Sequence, residues 1–356
     1  MTDLLALAAE LVDIPSVSHQ EKALADLVES ELRGVGHLTV DRYGDTVVAR
    51  TALGRPRRLL LAGHLDTVPP FADGGHSIDG DTLSGLGAVD MKGGLAVLLD
   101  LARSVGAPAV DATFVFYACE EVERRHNGLG LLASERPEIL AADAAVLAEP
   151  TGGLVEAGCQ GTMRVEVTLT GRRAHTARPW TGVNAVHRLA PVLRVLEAYR
   201  PRRVALDGCE YTEQFQAVGV RGGVAANVVP DEAVMTLNFR FAPDRDVDAA
   251  ETAVRGLLAE ALDPDAGDRL VVVDAVAGAP PALGHPLLSR LVTATGQPPR
   301  AKLGWTDVAT LSSAGVPAAN FGPGDPLLAH TPHEHVSRAE LTGVRDALSE
   351  VLGADP

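Results

Sequence analysis

The chain has 356 residues, with 31 Lys and Arg against 47 Asp and Glu, for a formal net charge of −16. A single hydrophobic core stops growing near ~250–300 residues, so this length predicts more than one domain. An acid excess of this size argues against nucleic-acid binding, which needs clustered cations to release counterions, and disfavours anionic membrane surfaces. The 46% hydrophobic content leaves ample material for a core.

The chain opens on Leu4, Leu7, Ala8 and Leu11 at helical spacing, with Asp3 and Glu10 among them and no basic segment ahead. That pattern predicts an amphipathic helix capped by Thr2 or Asp3 and not a secretory signal. No uncharged apolar run of about 18 residues follows, so no membrane span is expected. Cys119, Cys159 and Cys209 form no CxxC pair, which fits a reducing, cytoplasmic setting.

From about residue 37 to 160, short apolar runs alternate with helix-like stretches. Residues 59–63, 113–118 and 144–148 read as buried strands, and 93–105 and 129–136 as helices. This alternation predicts an α/β fold with a mostly parallel sheet covered on both faces. Near Gly161 the pattern changes. Met163, Val165, Val167 and Leu169 alternate as in a half-buried antiparallel strand. A helix at 183–198, strands at 214–220 and 233–241, a helix at 246–262 and a strand at 269–276 complete a βαββαβ order. A helix at 307–313 and a strand at 317–321 then return to the first pattern. The expected organisation is a catalytic domain in two parts, 1–160 and 277–356, interrupted by an α+β insert at 161–276.

Three of the expected buried strands run into candidate metal ligands: Gly63-His64-Leu65-Asp66-Thr67, Cys119-Glu120-Glu121 and Ala148-Glu149-Pro150. Open α/β sheets bind ligands beyond the carboxyl ends of their strands, so these groups should converge. Singly each has an ordinary explanation: a satisfied loop pair, acidic charge at a helix start, a turn. Together they are hard to dismiss. Gly85 to Gly94 presents Asp90 just before a glycine-started helix, and the late run from Gly322 carries His330, His333 and His335. Imidazole with several carboxylates is too rich in oxygen for a structural Cys-type site and suits catalytic Zn, Co or Mn. There are more carboxylates than one ion needs. That points to two ions sharing a bridging carboxylate, about 3.5–4 Å apart, with one acid left to act as general base. Competing motifs fail: GxxxxGK[ST], HExxH and GxSxG are missing, and the GxGxxA at Gly128 does not directly follow its strand.

With these residues assembled, the sequence resembles the M20 family of co-catalytic zinc amidohydrolases and peptidases along essentially its whole length. The motifs carrying the resemblance are Gly63 to Pro69, Gly85 to Gly94, Glu120-Glu121, Ala148-Glu149-Pro150 and Ala329-His330. Within the family, Gly304-Trp305-Thr306-Asp307, Asn320 to Pro326 and Gly171 to Trp180 are similar to the actinobacterial desuccinylase branch. The run Thr331-Pro332-His333-Glu334 is closer to general peptidases and deacylases of the family. The resemblance implies two zinc ions, with cobalt or manganese as substitutes. One would be held by His64 and Glu149, the other by Glu121 and His330, with Asp90 bridging. It implies Glu120 as general base and Asp66 as the group orienting His64. It implies His175 as an oxyanion donor reaching into a partner subunit, and a homodimer formed through the insert. Asn227, Arg240, Arg178 and Thr306 are the implied substrate-binding residues, for a small N-acyl amino-acid substrate. The implied reaction is hydrolysis of N-succinyl-LL-2,6-diaminopimelate. Acetylornithine deacetylation, other N-acyl amino-acid hydrolysis and dipeptide cleavage are the alternatives the same ligands would serve. A non-catalytic scaffold would show lost ligands or a lost base, and none is missing.

Overall fold

The computed structural model describes residues 2–71 and 75–353. The first helix spans Leu4–Val12, and its cap is Asp3, whose side chain accepts the backbone N–H groups of Leu5 and Ala6. Leu4, Leu5, Leu7, Ala8, Ala9, Leu11 and Val12 are buried, so the helix docks on the core.

The larger sheet has eight strands. Its centre is four parallel strands in the spatial order Asp111–Tyr117, Arg58–His64, Ala144–Leu147 and Ala318–Asn320. All of Asp111–Tyr117 and nearly all of Arg58–His64 is buried, as continuous apolar runs covered on both faces require. An antiparallel contact lies on each side of this centre, and Arg300–Ala301 closes one edge in parallel with Glu156–Ala157. The hairpin Thr39–Tyr43 and Thr46–Arg50 lies on one side, and Glu156–Ala157 pairs with Ala318–Asn320 on the other. One face packs with the helices Gly93–Ser104, Pro286–Thr295 and Arg338–Leu352. The opposite face packs with Gly128–Glu135 and Val308–Ser313. The molecule is α/β with a mostly parallel large sheet.

A second sheet of four antiparallel strands is ordered Gln214–Gly222, Glu232–Phe241, Gly161–Thr170 and Arg269–Val276. Gly161–Thr170 alternates buried and half-exposed positions along its length. Met163, Val165, Val167 and Leu169 enter a separate core with Phe239, Phe241 and the helices Leu189–Ala198 and Val247–Leu258.

Two features depart from the sequence expectation. The helix expected from residue 183 starts at Leu189. Asn184 turns its side-chain oxygen onto the N–H groups of Val186 and His187, and Val183 pairs with Arg172, so the chain is committed to a turn there. A hairpin, Arg203–Leu206 with Cys209–Thr212, also interrupts the expected βαββαβ order. Its tight turn is Asp207-Gly208, both at positive φ (45° and 80°).

Candidate active site

The parallel strands end at one edge, and their following residues meet there. His64 is the last residue of its strand and is buried. Its Nδ1 faces the Asp66 carbonyl oxygen at 2.9 Å, and its Nε2 lies 3.0 Å from Asp90 Oδ1. The second Asp90 oxygen is 3.4 Å from His330 Nε2, and that same nitrogen is 2.6 Å from Glu121 Oε1. Asp90 therefore stands between the two imidazoles, one oxygen turned to each.

Close backbone approach makes this convergence possible. A Cβ on Gly94 would lie 2.4 Å from the Ala148 carbonyl oxygen, and one on Gly322 would lie 2.3 Å from the same atom. The two glycines let a helix start and a loop close on the strand end that carries Glu149. His330 and Cys119 sit in the left-handed region (φ 59° and 62°), where a side-chain-bearing residue is held only by its surroundings.

Donor atoms from His64, Asp90 and Glu149 all lie within 4.8 Å of one another, as do those from Asp90, Glu121 and His330. A third such group, His64, Glu120 and Glu121, overlaps them. Glu149 Oε1 is buried and has no hydrogen-bond partner among the described residues. A buried carboxylate oxygen left alone is costly, and a cation beside it removes the cost. Two overlapping triads of nitrogen and oxygen donors that share one aspartate fit a divalent metal pair.

The electrostatics agree with a site built around positive charge. Burial works against a charged His64, but Asp66 and Asp90 outweigh it and hold its pKa well above the usual value. Hydrogen bonds to Asp90 and Glu121 push His330 up to about 10. Burial raises Glu149 to about 7, reinforced by the charge of Asp90. Burial is also the main cause lifting Glu120 well above the carboxylate range. The His64 charge opposes it, and Glu149, Asp307 and Glu121 add to it. Asp66 is buried too, yet falls to about 2, because His64 and the backbone N–H groups of Glu120 and Glu121 stabilise its charge.

Asp66 accepts Glu120 N–H at 2.9 Å and Glu121 N–H at 3.0 Å, and the Ser18 hydroxyl donates to it at 2.7 Å. His175, Arg178 and Asn227 lie together in loops that follow strands of the four-stranded sheet and are exposed. Thr176 N–H donates to the Asn227 carbonyl, Arg178 N–H to the His175 carbonyl, and His175 Nδ1 accepts Ala177 N–H at 3.0 Å. None of these bonds reaches the acidic cluster of the same chain. Arg240, half-buried in Glu232–Phe241, has no hydrogen bond or ion pair to its guanidinium among the described residues, and burial lowers its pKa. Thr306 is buried, with its hydroxyl donating to Asn320 Oδ1 at 2.9 Å.

Three residues that the sequence reading left without a role also belong here. Asp307 is buried beneath the site, accepting from Asn127 and Thr310 at 2.7 Å each. Lys302 is paired with Glu156 at 2.9 Å, and its charge helps restrain the Glu149 pKa. Glu334 is buried under Asp90. Its place four residues after His330 was the one available signal. By contrast, His333 and His335 are exposed, and neither is in a ligand group.

A mostly parallel α/β sheet whose strand ends gather two histidines and four acids into overlapping metal-ligand groups defines a metal-dependent hydrolase. The chain belongs to peptidase family M20/M25/M40, which it matches over residues 60–353. It is 49% identical over 352 residues to a putative succinyl-diaminopimelate desuccinylase of Mycobacterium tuberculosis, covering 99% of this chain and 98% of that protein. It is 45% identical over 357 residues to the succinyl-diaminopimelate desuccinylase of Corynebacterium glutamicum, covering 98% and 96%. Among solved structures, a tripeptidase from Staphylococcus aureus superposes with a TM-score of 0.80 at 19% identity, covering 98% of this chain and 97% of that one. No helix among the described residues is long and apolar enough to cross a membrane.

Proposed function

We propose that this enzyme hydrolyses N-succinyl-LL-2,6-diaminopimelate to succinate and LL-2,6-diaminopimelate, on the path to diaminopimelate and lysine, with two zinc ions bound at the strand-end cluster. The observation that carries the reaction is the place of Asp90, one oxygen 3.0 Å from His64 and the other 3.4 Å from His330. The near full-length similarity to two proteins named as desuccinylases supports the substrate.

In this reading His64 and Glu149 would hold one ion and Glu121 and His330 the other, with Asp90 shared between them. Cobalt or manganese would serve the same donors. The pair would supply Lewis-acid polarisation of the scissile carbonyl and acidify the attacking water. Glu120 takes the proton from that water as its oxygen bonds to the carbonyl carbon. It returns the proton to the amide nitrogen as the C–N bond breaks. Burial raises its pKa above the ordinary carboxylate range, the direction a proton-shuttling acid needs. Asp66 fixes the loop carrying the base and orients His64. Arg240, Arg178 and Asn227 receive the substrate carboxylates; Thr306 is assigned a supporting place, since its hydroxyl is given to Asn320.

His175 is assigned the oxyanion, donated into the site of a second subunit. Residues 161–276 would form the domain that makes the dimer. Support comes from the exposure of His175, Arg178 and Asn227 and from the exposed edge strand Gln214–Gly222, where Val218 and Val220 face outward. A cytoplasmic setting is part of the proposal, and three free, buried cysteines support it.

A substrate panel tests the reaction. Zinc-loaded protein should cleave succinyl-diaminopimelate with a kcat/KM well above that for acetylornithine or dipeptides, and a reversed order overturns the substrate. Mixing inactive His175→Ala and Glu120→Gln proteins tests the shared site. Activity should reappear in mixed dimers, and a mixture as dead as its parts rejects the assignment of His175.

A further inference from the structure

The loop that presents Asp90 is held by a segment from the far end of the chain. Glu334 is only 3% exposed, and its Oε2 accepts the backbone N–H of Val89 at 3.2 Å and of Asp90 at 3.4 Å. Its own carbonyl accepts Gly85 N–H at 3.2 Å. Directly after it, the strand His335–Ser337 pairs with Thr82–Ser84, fixing the register between the two segments. Lys92, also buried, closes the loop from the other side: its N–H donates to the Gly87 carbonyl and its Nζ to the Ile14 carbonyl, each at 2.7 Å.

The same short segment supplies His330, whose Nε2 is 3.4 Å from Asp90 Oδ2. Residues 330 and 334 therefore grip Asp90 twice, one at its carboxylate and one at its main chain. A bridging carboxylate must aim its two oxygens in two fixed directions, and rotation of its backbone would spoil both. Backbone groups are strong, directional donors, so a buried acceptor on two successive N–H groups sets the peptide orientation.

We propose that Glu334 is a positioning residue for the metal pair: it fixes the Asp90 backbone so that one carboxylate serves both ions. This rests on the two-ion reading above. Glu334 is not a ligand and touches no substrate. Its contribution is the angle of Asp90, so the property it controls is communication between the ions, beyond the mere presence of one of them.

The test compares Glu334→Ala, Glu334→Gln and Glu334→Asp with the wild type, loaded with Mn(II) alone. Manganese ions bridged by one carboxylate give an exchange-coupled EPR spectrum, and separate ions do not. Glu334→Ala should lose the coupled signal and bind the second ion roughly 10–100-fold more weakly, as when other groups supporting a ligand are lost. Its kcat should fall while KM stays near the wild-type value. Glu334→Gln keeps a carbonyl oxygen for the two N–H groups and should restore the coupled spectrum, which a charge-only role would not allow. Should the alanine variant fail to fold, Glu334→Asp decides, because its acceptor is one methylene too short and the coupling should again be lost. A coupled spectrum with wild-type affinities in Glu334→Ala, or in Glu334→Asp where the alanine protein is lost, overturns the inference. A wild-type protein that never binds a coupled pair overturns the two-ion reading beneath it.

Discussion

Asp66 receives the backbone N–H of Glu120 at 2.9 Å, so a residue two positions beyond one strand end fixes the loop beyond the next. The second Asp66 oxygen takes Glu121 N–H and the Ser18 hydroxyl, and the Asp66 carbonyl faces His64. One buried acid thus holds the proposed base, one proposed ligand and the orientation of another. Asp66→Ala would leave the two loop N–H groups buried without acceptors. The expected cost is about 2–4 kcal/mol in urea unfolding of the metal-free protein. Turnover of the metal-loaded protein should fall by roughly 10–100-fold. An Asp66→Ala protein with unchanged stability would show that water replaces the carboxylate.

Glu120 differs from its neighbour Glu121 in one respect that decides its role. Glu121 is locked to His330 at 2.6 Å, while no described side chain forms a hydrogen bond to the Glu120 carboxyl. A group left free, with a raised pKa, is suited to move a proton. Glu120→Gln should retain two equivalents of metal and lower kcat by roughly 10²–10⁴-fold. Elemental analysis checks the first half and steady-state kinetics the second. Near-normal turnover would remove Glu120 from the mechanism.

Metal binding should be strongly linked to protons. Without metal, the acids beside them hold His64 above its usual pKa and His330 at about 10, which favours the protonated imidazoles. A histidine raised on folding stabilises the metal-free protein fully below its unfolded value, and that contribution is lost as pH rises through the folded one. The proposed ligation requires neutral imidazoles, so metal affinity should climb with pH until the folded His330 value of about 10 is passed, while the histidines' contribution to the stability of the metal-free protein declines from about pH 6.5 upward. Calorimetry in buffers of different ionisation enthalpy should find about two protons released near pH 7, part of any excess coming from Glu149, which titrates at about 7. Binding without proton release would mean that the histidines are already neutral.

Much of this site could be read in the sequence because the relevant signals are local. Buried runs such as 113–118 are continuous and apolar, and candidate ligands stand immediately after them. What escaped was made by distant pairing. Glu334 lies between two histidines and reads as a solvated turn, yet it is buried because His335–Ser337 pairs with Thr82–Ser84, some 250 positions away. Two other features were hidden for local reasons. Asn184 captures two N–H groups and delays its helix, and the hairpin at Asp207-Gly208 has strands of only four residues, too short for the alternation of Val204, Leu206, Cys209 and Tyr211 to stand out. The Asp-Gly turn signal was present there all the same. Choosing His330 over His333 needed either the resemblance or the contact with Glu121.

Arg240 offers a test in which binding and stability should move in opposite directions. Its guanidinium is half-buried, lacks an acidic partner among the described residues, and has its pKa lowered by burial. An unpaired cation held this way costs stability, and a binding site for a carboxylate is a reason to carry that cost. Arg240→Met removes the charge and keeps much of the apolar stem. The variant should unfold at equal or higher urea concentration than the wild type. It should also raise KM for a dicarboxylate substrate by roughly 10–100-fold, the worth of a hydrogen bond to a charged group, with kcat changed less. Substrates lacking the second carboxylate should discriminate poorly between the two proteins. A variant that loses stability and binds substrate normally would identify Arg240 as a packing residue of the four-stranded sheet, and the carboxylate would have to be met by Arg178 or Asn227.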